Sequence, residues 1–280
     1  MISWLEAPDC QDPAQVGGKA ASLARLAAAY PVPAAFCLAA MEGTTLSPAL
    51  RMELVEAYAQ LGARCGADLL PVAVRSSAVD EDGDTVSFAG QHESYLNVVG
   101  ADAVVEAVER CLASARSARA REYRRAHGLR PEARVAVLVQ QLVRSDVSAV
   151  VFSVDPRTGA CAHIVINAAW GLGESLVGGT VTPDLYLVRR ADLAVISRQI
   201  ADKAVMTVLG PAGTREVAVP RLMRREPALD DAQAAALAGL ARSLEAYAGR
   251  PVDLECAYAR GRPYLLQCRP ITTLDRGPAV

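Results

Sequence analysis

Short apolar runs with strand-like composition follow one another closely in the middle of this chain, at residues 135–143, 147–154 and 161–169. The polar segments between them have the length of hairpin connections, which predicts antiparallel pairing of successive runs. Apolar residues at helical spacing predict helices over residues 48–62, 101–127 and 230–248. Antiparallel strands mixed with helices indicate an α+β fold.

Composition excludes several classes of protein. The 280 residues are 52% hydrophobic and 21% charged, with a formal net charge of −2, which is typical of a globular chain and not of a disordered one. A near-zero net charge provides no field to hold a polyanion, so no nucleic-acid partner is predicted. No uncharged apolar run approaches the roughly 20 residues that span a bilayer, and no basic leader precedes an apolar stretch. We therefore expect no membrane partner and a cytoplasmic location.

Two segments have the residue types that phosphate binding requires. Gly17 and Gly18 precede Lys19 at the expected start of a helix, where bare backbone and a cation together suit an anion. The alternative is a surface lysine that follows a turn. Arg75 ends an apolar strand beside Ser76 and Ser77, and these side chains also suit phosphate. The alternative there is a pairing of Arg75 with the acidic residues that follow it.

Two further segments are rich in small or glycine residues. The stretch from Ser87 to Gly90 is small and polar around one phenylalanine, which fits either a lid over a ligand or an ordinary surface loop. The stretch from Asn167 to Glu174 contains a Gly-Leu-Gly sequence that does not match a dinucleotide-binding motif, because Leu176 occupies the position of the last glycine.

Four polar residues near the C-terminus form the sharpest pattern in the chain. Asp253 and Glu255 share one face of a predicted strand, and Gln267 and Arg269 share one face of the next. A three-residue loop at 260–262 would bring Glu255 opposite Gln267 and Asp253 opposite Arg269, whereas a two-residue turn would divide the four between both faces. Facing one side, they would provide oxygen ligands for Mg²⁺ and an arginine for phosphate. The alternative is a surface ladder with a cross-strand Asp–Arg pair.

Eight segments in this order resemble the N-terminal nucleotide-binding domain of pyruvate phosphate dikinase and phosphoenolpyruvate synthase, which is also found in rifampicin phosphotransferase. The matching strings are GGKAASLARL, PVPAAFCL, VAVRSSAVDED, SFAGQHESYLNV, VAVLVQQLV, VFSVDPRTG, AAWGLGESLVGGTVTPDLYLV and VDLECAYARGRPYLLQCRPIT. They extend over residues 17–272, nearly the whole chain.

This resemblance implies an ATP-grasp fold of two lobes with largely antiparallel sheets and nucleotide in the cleft between them. We expect an N-terminal lobe at 1–130, a C-terminal lobe at 131–273 and a tail at 274–280. The implied catalytic residues are Lys19, Arg75 and Arg269. The implied nucleotide-binding residues are Lys19, Arg75, Ser87, Gly90, Gln140, Gln141, Leu142, Val143, Glu255, Gln267 and Arg269. Of these, Glu255 and Gln267 are the implied Mg²⁺ ligands.

The function that the resemblance implies is ATP- and Mg²⁺-dependent phosphoryl transfer of the kinase or dikinase type. The acceptor is either a small molecule or a histidine on a separate phosphocarrier domain or partner, since His92, His127 and His163 lie in no motif resembling the family's histidine domain. Glu81, Asp84 and His92 are open alternatives for a base. The alternative functions are the isolated ATP-binding domain of a longer phosphoenolpyruvate synthase-like enzyme, a catalytically silent nucleotide-binding module, and an ATP-grasp ligase.

Overall fold

The computed structural model describes residues 1–79, 94–126 and 134–271. These divide into a first unit, residues 1–142 with 209–214, and a second unit, residues 143–208 with the residues from 215 onward. The helices are α1 (Pro13–Leu26), α2 (Pro48–Cys65), α3 (Ala101–Ser114), α4 (Ala118–Ala126), α5 (Glu174–Val177) and α6 (Asp231–Ala248), and a 3₁₀ turn covers Pro8–Gln11.

The strands confirm the expected α+β class, because antiparallel sheets alternate with helices. They are β1 (Ile2–Trp4), β2 (Ala35–Met41), β3 (Val72–Ala78), β4 (Ser94–Val98), β5 (Val135–Gln141), β6 (Val147–Phe152), β7 (His163–Trp170), β8 (Asp184–Arg189), β9 (Val195–Gln199), β10 (Val205–Leu209), β11 (Thr214–Ala218), β12 (Val252–Ala259) and β13 (Arg262–Pro270). Strands β10 and β11 form a separate two-stranded ribbon. No helix within the described ranges is long and apolar enough to cross a membrane.

The first unit is built on a five-stranded antiparallel sheet in the order β1-β2-β5-β3-β4. One face of this sheet forms a core with α2 and α3, in which Val74, Val137, Leu54 and Val108 are fully buried. Helix α1 packs against the opposite face. Each strand therefore has one face toward each helical layer, which explains why its apolar runs are nearly continuous.

The position of β5 corrects two predictions. The first lobe was expected to end at residue 130, and β5 was expected to form a hairpin with β6. Instead β5 pairs with β2 and β3 at the centre of the first unit, which therefore extends to residue 142. A short loop permits a hairpin but does not require one, because the same few residues also connect strands of different sheets.

The second unit is built on a six-stranded antiparallel sheet in the order β13-β12-β6-β7-β8-β9. Leu254, Val151, Ile166 and Tyr186 form one row across four strands and are fully buried. Helix α6 covers this face, and the hydroxyl of Tyr258 donates to its Gln233 carbonyl. The opposite face of the sheet is less completely covered, and its central residues are half-buried.

Helix α6 begins with a reciprocal cap, and removing the cap gives a first prediction. The Asp230 carboxylate accepts from Gln233 N at 2.7 Å, while the Gln233 side chain accepts from Asp230 N at 2.9 Å. We expect Asp230→Ala to lower the free energy of unfolding by about 1 kcal/mol, because the Gln233 N–H at the start of the helix loses its acceptor. Urea denaturation measures this. Asp231→Ala, which removes an exposed carboxylate one position later, is the matched control, and an equal loss in both variants would contradict the capping account.

Candidate functional site

Helix α1 is interrupted at Gly17, in the middle of the glycine-lysine motif. The helix begins at Pro13, and the Asp12 carboxylate accepts from Ala14 N at 2.9 Å. Gly17 then adopts φ 74° and ψ 167°, which breaks the helix before it resumes toward Leu26. The helix therefore begins at Pro13, earlier than the start expected at Lys19, and is broken at the glycine pair before Lys19.

The break brings α1 into close contact with Ser77 at the end of β3. A Cβ atom at Gly17 would overlap the Ser77 carbonyl and hydroxyl oxygens, closer than real Cβ atoms approach. The same hydroxyl accepts a hydrogen bond from Ala20 N at 3.1 Å. The resumed helix thus begins against the strand end, and only glycine fits at the crossing point.

Lys19 lies in this contact and is only 6% exposed. Its Nζ donates to the Ser76 carbonyl at 3.0 Å. The alternative reading of Lys19 as a surface lysine after a turn is therefore wrong. The glycine-lysine motif and the Arg75–Ser77 strand end, which are almost sixty residues apart in sequence, are brought together within one unit.

The sheet face toward α1 carries two further residues of interest. Ala73 pairs with Gln140 and Arg75 pairs with Leu138, so Arg75 and Gln140 share this face on neighbouring strands. Gln140 is 2% exposed, and its Nε2 has no hydrogen-bond partner within the described residues. A buried amide donor without a partner is costly, and a ligand oxygen or nitrogen would satisfy it. Gln141 lies on the opposite face.

The backbone that follows Gln140 is already engaged in part. Gln141 N donates to the Ala34 carbonyl at 2.8 Å, and Leu142 N donates to the Pro71 carbonyl at 3.0 Å. An adenine contact through either of these N–H groups would replace an existing hydrogen bond. The Val143 carbonyl likewise accepts from Ser145 N at 2.9 Å, whereas the Nε2 of Gln140 has no partner within the described residues.

In the second unit, β12 and β13 bring the four C-terminal polar residues onto one face. Glu255 pairs directly with Gln267, and Asp253 pairs directly with Arg269. Glu255 is half-buried and Gln267 is 6% exposed. A carboxylate and an amide oxygen thus lie side by side, with side chains roughly 5 Å apart at their bases.

The turn that connects these strands differs from the predicted one. Ala259 pairs with Arg262, so the loop contains only Arg260 and Gly261, both with positive φ as a tight type I′ hairpin requires. A β-bulge at Leu266 adds one residue to β13, because Cys256 pairs with Leu265 while Glu255 pairs with Gln267. The bulge restores the pairing that the short turn alone would have shifted.

Asp253 and Arg269 form a close ion pair beside the Glu255–Gln267 pair. Arg269 Nε donates to both carboxylate oxygens of Asp253, at 2.8 and 2.9 Å. Burial raises the pKa of Asp253 above its usual value, and the Arg269 guanidinium opposes that rise. The predicted cross-strand Asp–Arg pair is therefore present, and it fixes the orientation of the guanidinium.

The row that contains Glu255 and Gln267 continues across the sheet. Glu255 pairs with Val150 on β6, and Val150 pairs with Asn167 on β7. All four residues thus face the side of the sheet opposite α6. No cluster of three or more His, Cys, Asp and Glu side chains suited to a metal occurs among the described residues, so a cation on this face would depend on carboxylate and amide oxygens together.

The remaining residues that the sequence analysis singled out are not part of these segments, or they lie outside the described residues. Glu174 is exposed at the start of the short helix α5. The predicted lid residues Ser87 and Gly90 lie outside the described residues, as do the candidate bases Glu81, Asp84 and His92.

The chain matches the family "Pyruvate phosphate dikinase, AMP/ATP-binding domain" over residues 38–280. That match covers most of the chain, and the chain belongs to this family. The resemblance drawn from the sequence motifs is thereby confirmed.

Individual relatives share this similarity over most of the chain. A probable phosphoenolpyruvate synthase of Methanocaldococcus jannaschii is 36% identical over 99% of this chain and 27% of its own length. The rifampicin phosphotransferase of Streptomyces sviceus is 43% identical over 72% of this chain and 23% of its own. The prodigiosin synthesizing transferase PigC of Serratia marcescens is 39% identical over 98% and 33%. The chain thus spans about a quarter to a third of the length of these relatives.

Two residues of these segments have a contact or a position that the sequence did not reveal. Ser77 was singled out for its hydroxyl, but its contact with Gly17 depends on tertiary packing. Asn167 was seen only as the start of a glycine-rich stretch, and its membership of the Glu255 row requires the pairing of three strands. The available signal was a polar amide within the apolar run from His163 to Trp170.

Proposed function

We propose that this chain binds ATP with Mg²⁺ and serves a phosphoryl transfer from ATP to a small molecule or to a histidine on a separate domain or partner. The observation that carries the proposal is the direct pairing of Glu255 with Gln267 on the half-open face of the second sheet, which is the incompletely covered face opposite α6. The family name and the phosphotransferase names among the relatives support it.

The donor set of this pair fits magnesium. Mg²⁺ prefers oxygen ligands and is commonly held by one or two protein carboxylates while it retains substrate phosphates and water. Glu255 would supply a carboxylate oxygen and Gln267 an amide oxygen. When bound, Mg²⁺ offsets the negative charge of the phosphates during transfer.

Cationic side chains would hold the phosphates. In the first unit, Arg75 lies in the middle of β3, and Lys19 of α1 is kept in place by the Ser76 carbonyl of the same strand. In the second unit, Arg269 is oriented by its two hydrogen bonds to Asp253. Positioned cations act mainly by stabilising the charge that spreads over a transferred phosphoryl group.

The base of the nucleotide would contact the segment Gln140 to Val143. The buried Nε2 of Gln140 supports this assignment, since it is a donor that has no partner among the described residues. Ser87 and Gly90 belong to the proposal as a lid over the phosphates on the strength of the family resemblance.

All seven cysteines are free thiols, which fits a reducing, cytoplasmic location.

A second candidate is that the chain acts as the ATP-binding domain of a longer enzyme. The 27% and 33% shares of the phosphoenolpyruvate synthase and prodigiosin synthesizing transferase relatives favour it, because most of each relative lies outside the matched region. The products distinguish the small-molecule acceptor from the histidine acceptor: ADP with a phosphorylated small molecule indicates a simple kinase, while AMP with phosphate indicates dikinase chemistry through a further domain.

Thermal unfolding with and without ATP and Mg²⁺ tests nucleotide binding. At ligand concentrations about 100-fold above the dissociation constant, we expect about 2.7 kcal/mol of stabilisation, or a rise of several degrees in Tm. Glu255→Ala should abolish most of the Mg²⁺-dependent part of the rise. Glu226→Ala, which removes an exposed carboxylate elsewhere in the same unit, should keep it. A wild-type protein whose Tm does not respond to ATP and Mg²⁺ would refute the proposal.

A further inference from the structure

Asn167 occupies a position that the proposed metal pair does not explain. It lies in the same sheet row as Glu255 and Gln267, separated from Glu255 by Val150 on the intervening strand. Its neighbours along β7 on this face, Val165 and Ala169, are buried and apolar. A half-buried amide between them is the unusual choice for a strand of this composition.

The amide of Asn167 takes part in no side-chain hydrogen bond with any other described residue. By contrast, other polar side chains of this sheet are engaged within the protein. Asp184 on the next strand accepts from two backbone N–H groups, and Asp253 accepts from Arg269. Asn167 thus presents donor and acceptor groups to the half-open face.

Asn167 lies too far from Glu255 for the two side chains to bind the same Mg²⁺ ion. Neighbouring strands lie about 4.8 Å apart, so the two backbones are separated by about 9.6 Å. Oxygens that share one Mg²⁺ must lie within about 4.2 Å of each other, since each is about 2.1 Å from the ion. An asparagine side chain stands nearly perpendicular to the sheet and is too short to close that gap.

We infer that Asn167 donates its side-chain N–H to a phosphate oxygen of the Mg²⁺-bound nucleotide, on the far side of Val150 from the metal pair. A polyphosphate whose Mg²⁺ ion is bound by the Glu255–Gln267 pair, and which extends over Val150, reaches Asn167 on the next strand. The donor is neutral, so it positions the phosphates without adding to the cationic charge of the site. This inference rests on the proposed nucleotide binding.

Calorimetric titration of the full chain tests the inference with two probes, ATP and inorganic tripolyphosphate, each with Mg²⁺. We expect Asn167→Ala to weaken both ligands roughly tenfold, the typical effect of losing one hydrogen bond to a charged group. Asn167→Asp removes the donor and adds a negative charge beside the phosphates, so we expect roughly 100-fold weakening. Gln199→Ala removes an amide in the same row on β9, two strands farther out, and should bind both ligands as the wild type does.

The variants also separate the possible failures. Equal or tighter binding by Asn167→Asp would identify a metal ligand and overturn the inference, as would a loss by Asn167→Ala for ATP alone, which would indicate a nucleoside contact. Unchanged binding by Asn167→Ala, with a wild type that binds, overturns the inference and leaves the proposed function standing. A wild type that binds neither probe overturns both. Unliganded Tm values within a degree or two of the wild type verify that each variant is folded.

Discussion

Replacing Gly17 with alanine is expected to lower the free energy of unfolding by about 4 kcal/mol, from two effects that add at one position. The φ of 74° costs a non-glycine residue about 1 kcal/mol. The added Cβ would overlap the Ser77 carbonyl and hydroxyl, so α1 or β3 must move, at about 3 kcal/mol for an overpacked contact.

Gly66→Ala is the matched control for Gly17→Ala. Gly66 ends α2 with φ 70°, and nothing lies within 4 Å of its ideal Cβ position. Its replacement should cost only the conformational part, about 1 kcal/mol. Urea denaturation of both variants measures the difference. Equal losses in the free energy of unfolding would show that the Gly17–Ser77 contact accommodates the added Cβ without an energetic penalty.

The second large effect is expected at a buried ion pair in the second unit. Lys203 and Asp184 are both fully buried, with Nζ and Oδ1 2.6 Å apart. Asp184 also accepts from Ala201 N at 2.9 Å and Ala228 N at 2.8 Å, so it joins β8 to two loop segments. Lys203→Met should cost about 4 kcal/mol, because it leaves a carboxylate buried without its cation.

A double-mutant cycle checks the origin of this loss. Adding Asp184→Asn to Lys203→Met removes the uncompensated charge, so the double variant should be less unstable than the sum of the single variants. Asp192→Asn in the exposed Arg189–Asp192 pair is the surface control and should cost under about 0.5 kcal/mol. Strict additivity of the Lys203 and Asp184 effects would contradict the ion-pair explanation.

The β12–β13 hairpin shows how far sequence reasoning reaches at this site. The alternation of polar residues correctly predicted that Glu255 faces Gln267 and Asp253 faces Arg269. The reason given was a three-residue loop, and that reason was wrong. Turn length and bulge position both set the register, and Leu266 has no local signal that marks it as the inserted residue.

Other features depended on contacts that no local pattern encodes. The apolar run of β5 was recognised as a strand, but its partners β2 and β3 are distant in sequence, so its sheet was misassigned. The motif around Lys19 was recognised, yet its burial follows from the packing of Gly17 on Ser77. Asp184 and Lys203 form a pair because β9 runs antiparallel to β8 and returns the residues after Gln199 to the start of β8, which neither residue's neighbours in sequence indicate.

The bulge at Leu266 has a consequence for insertions and deletions in this hairpin. A tight two-residue turn with a bulge and a three-residue turn without one give the same pairing of Glu255 with Gln267. One residue gained at the tip can therefore be balanced by one lost at the bulge, with the pairing of Glu255 and Gln267 unchanged. Chains of equal length between Glu255 and Gln267 can thus place the extra residue either at the tip or at the bulge and keep the same pairing, although the strand residues between tip and bulge are then shifted by one.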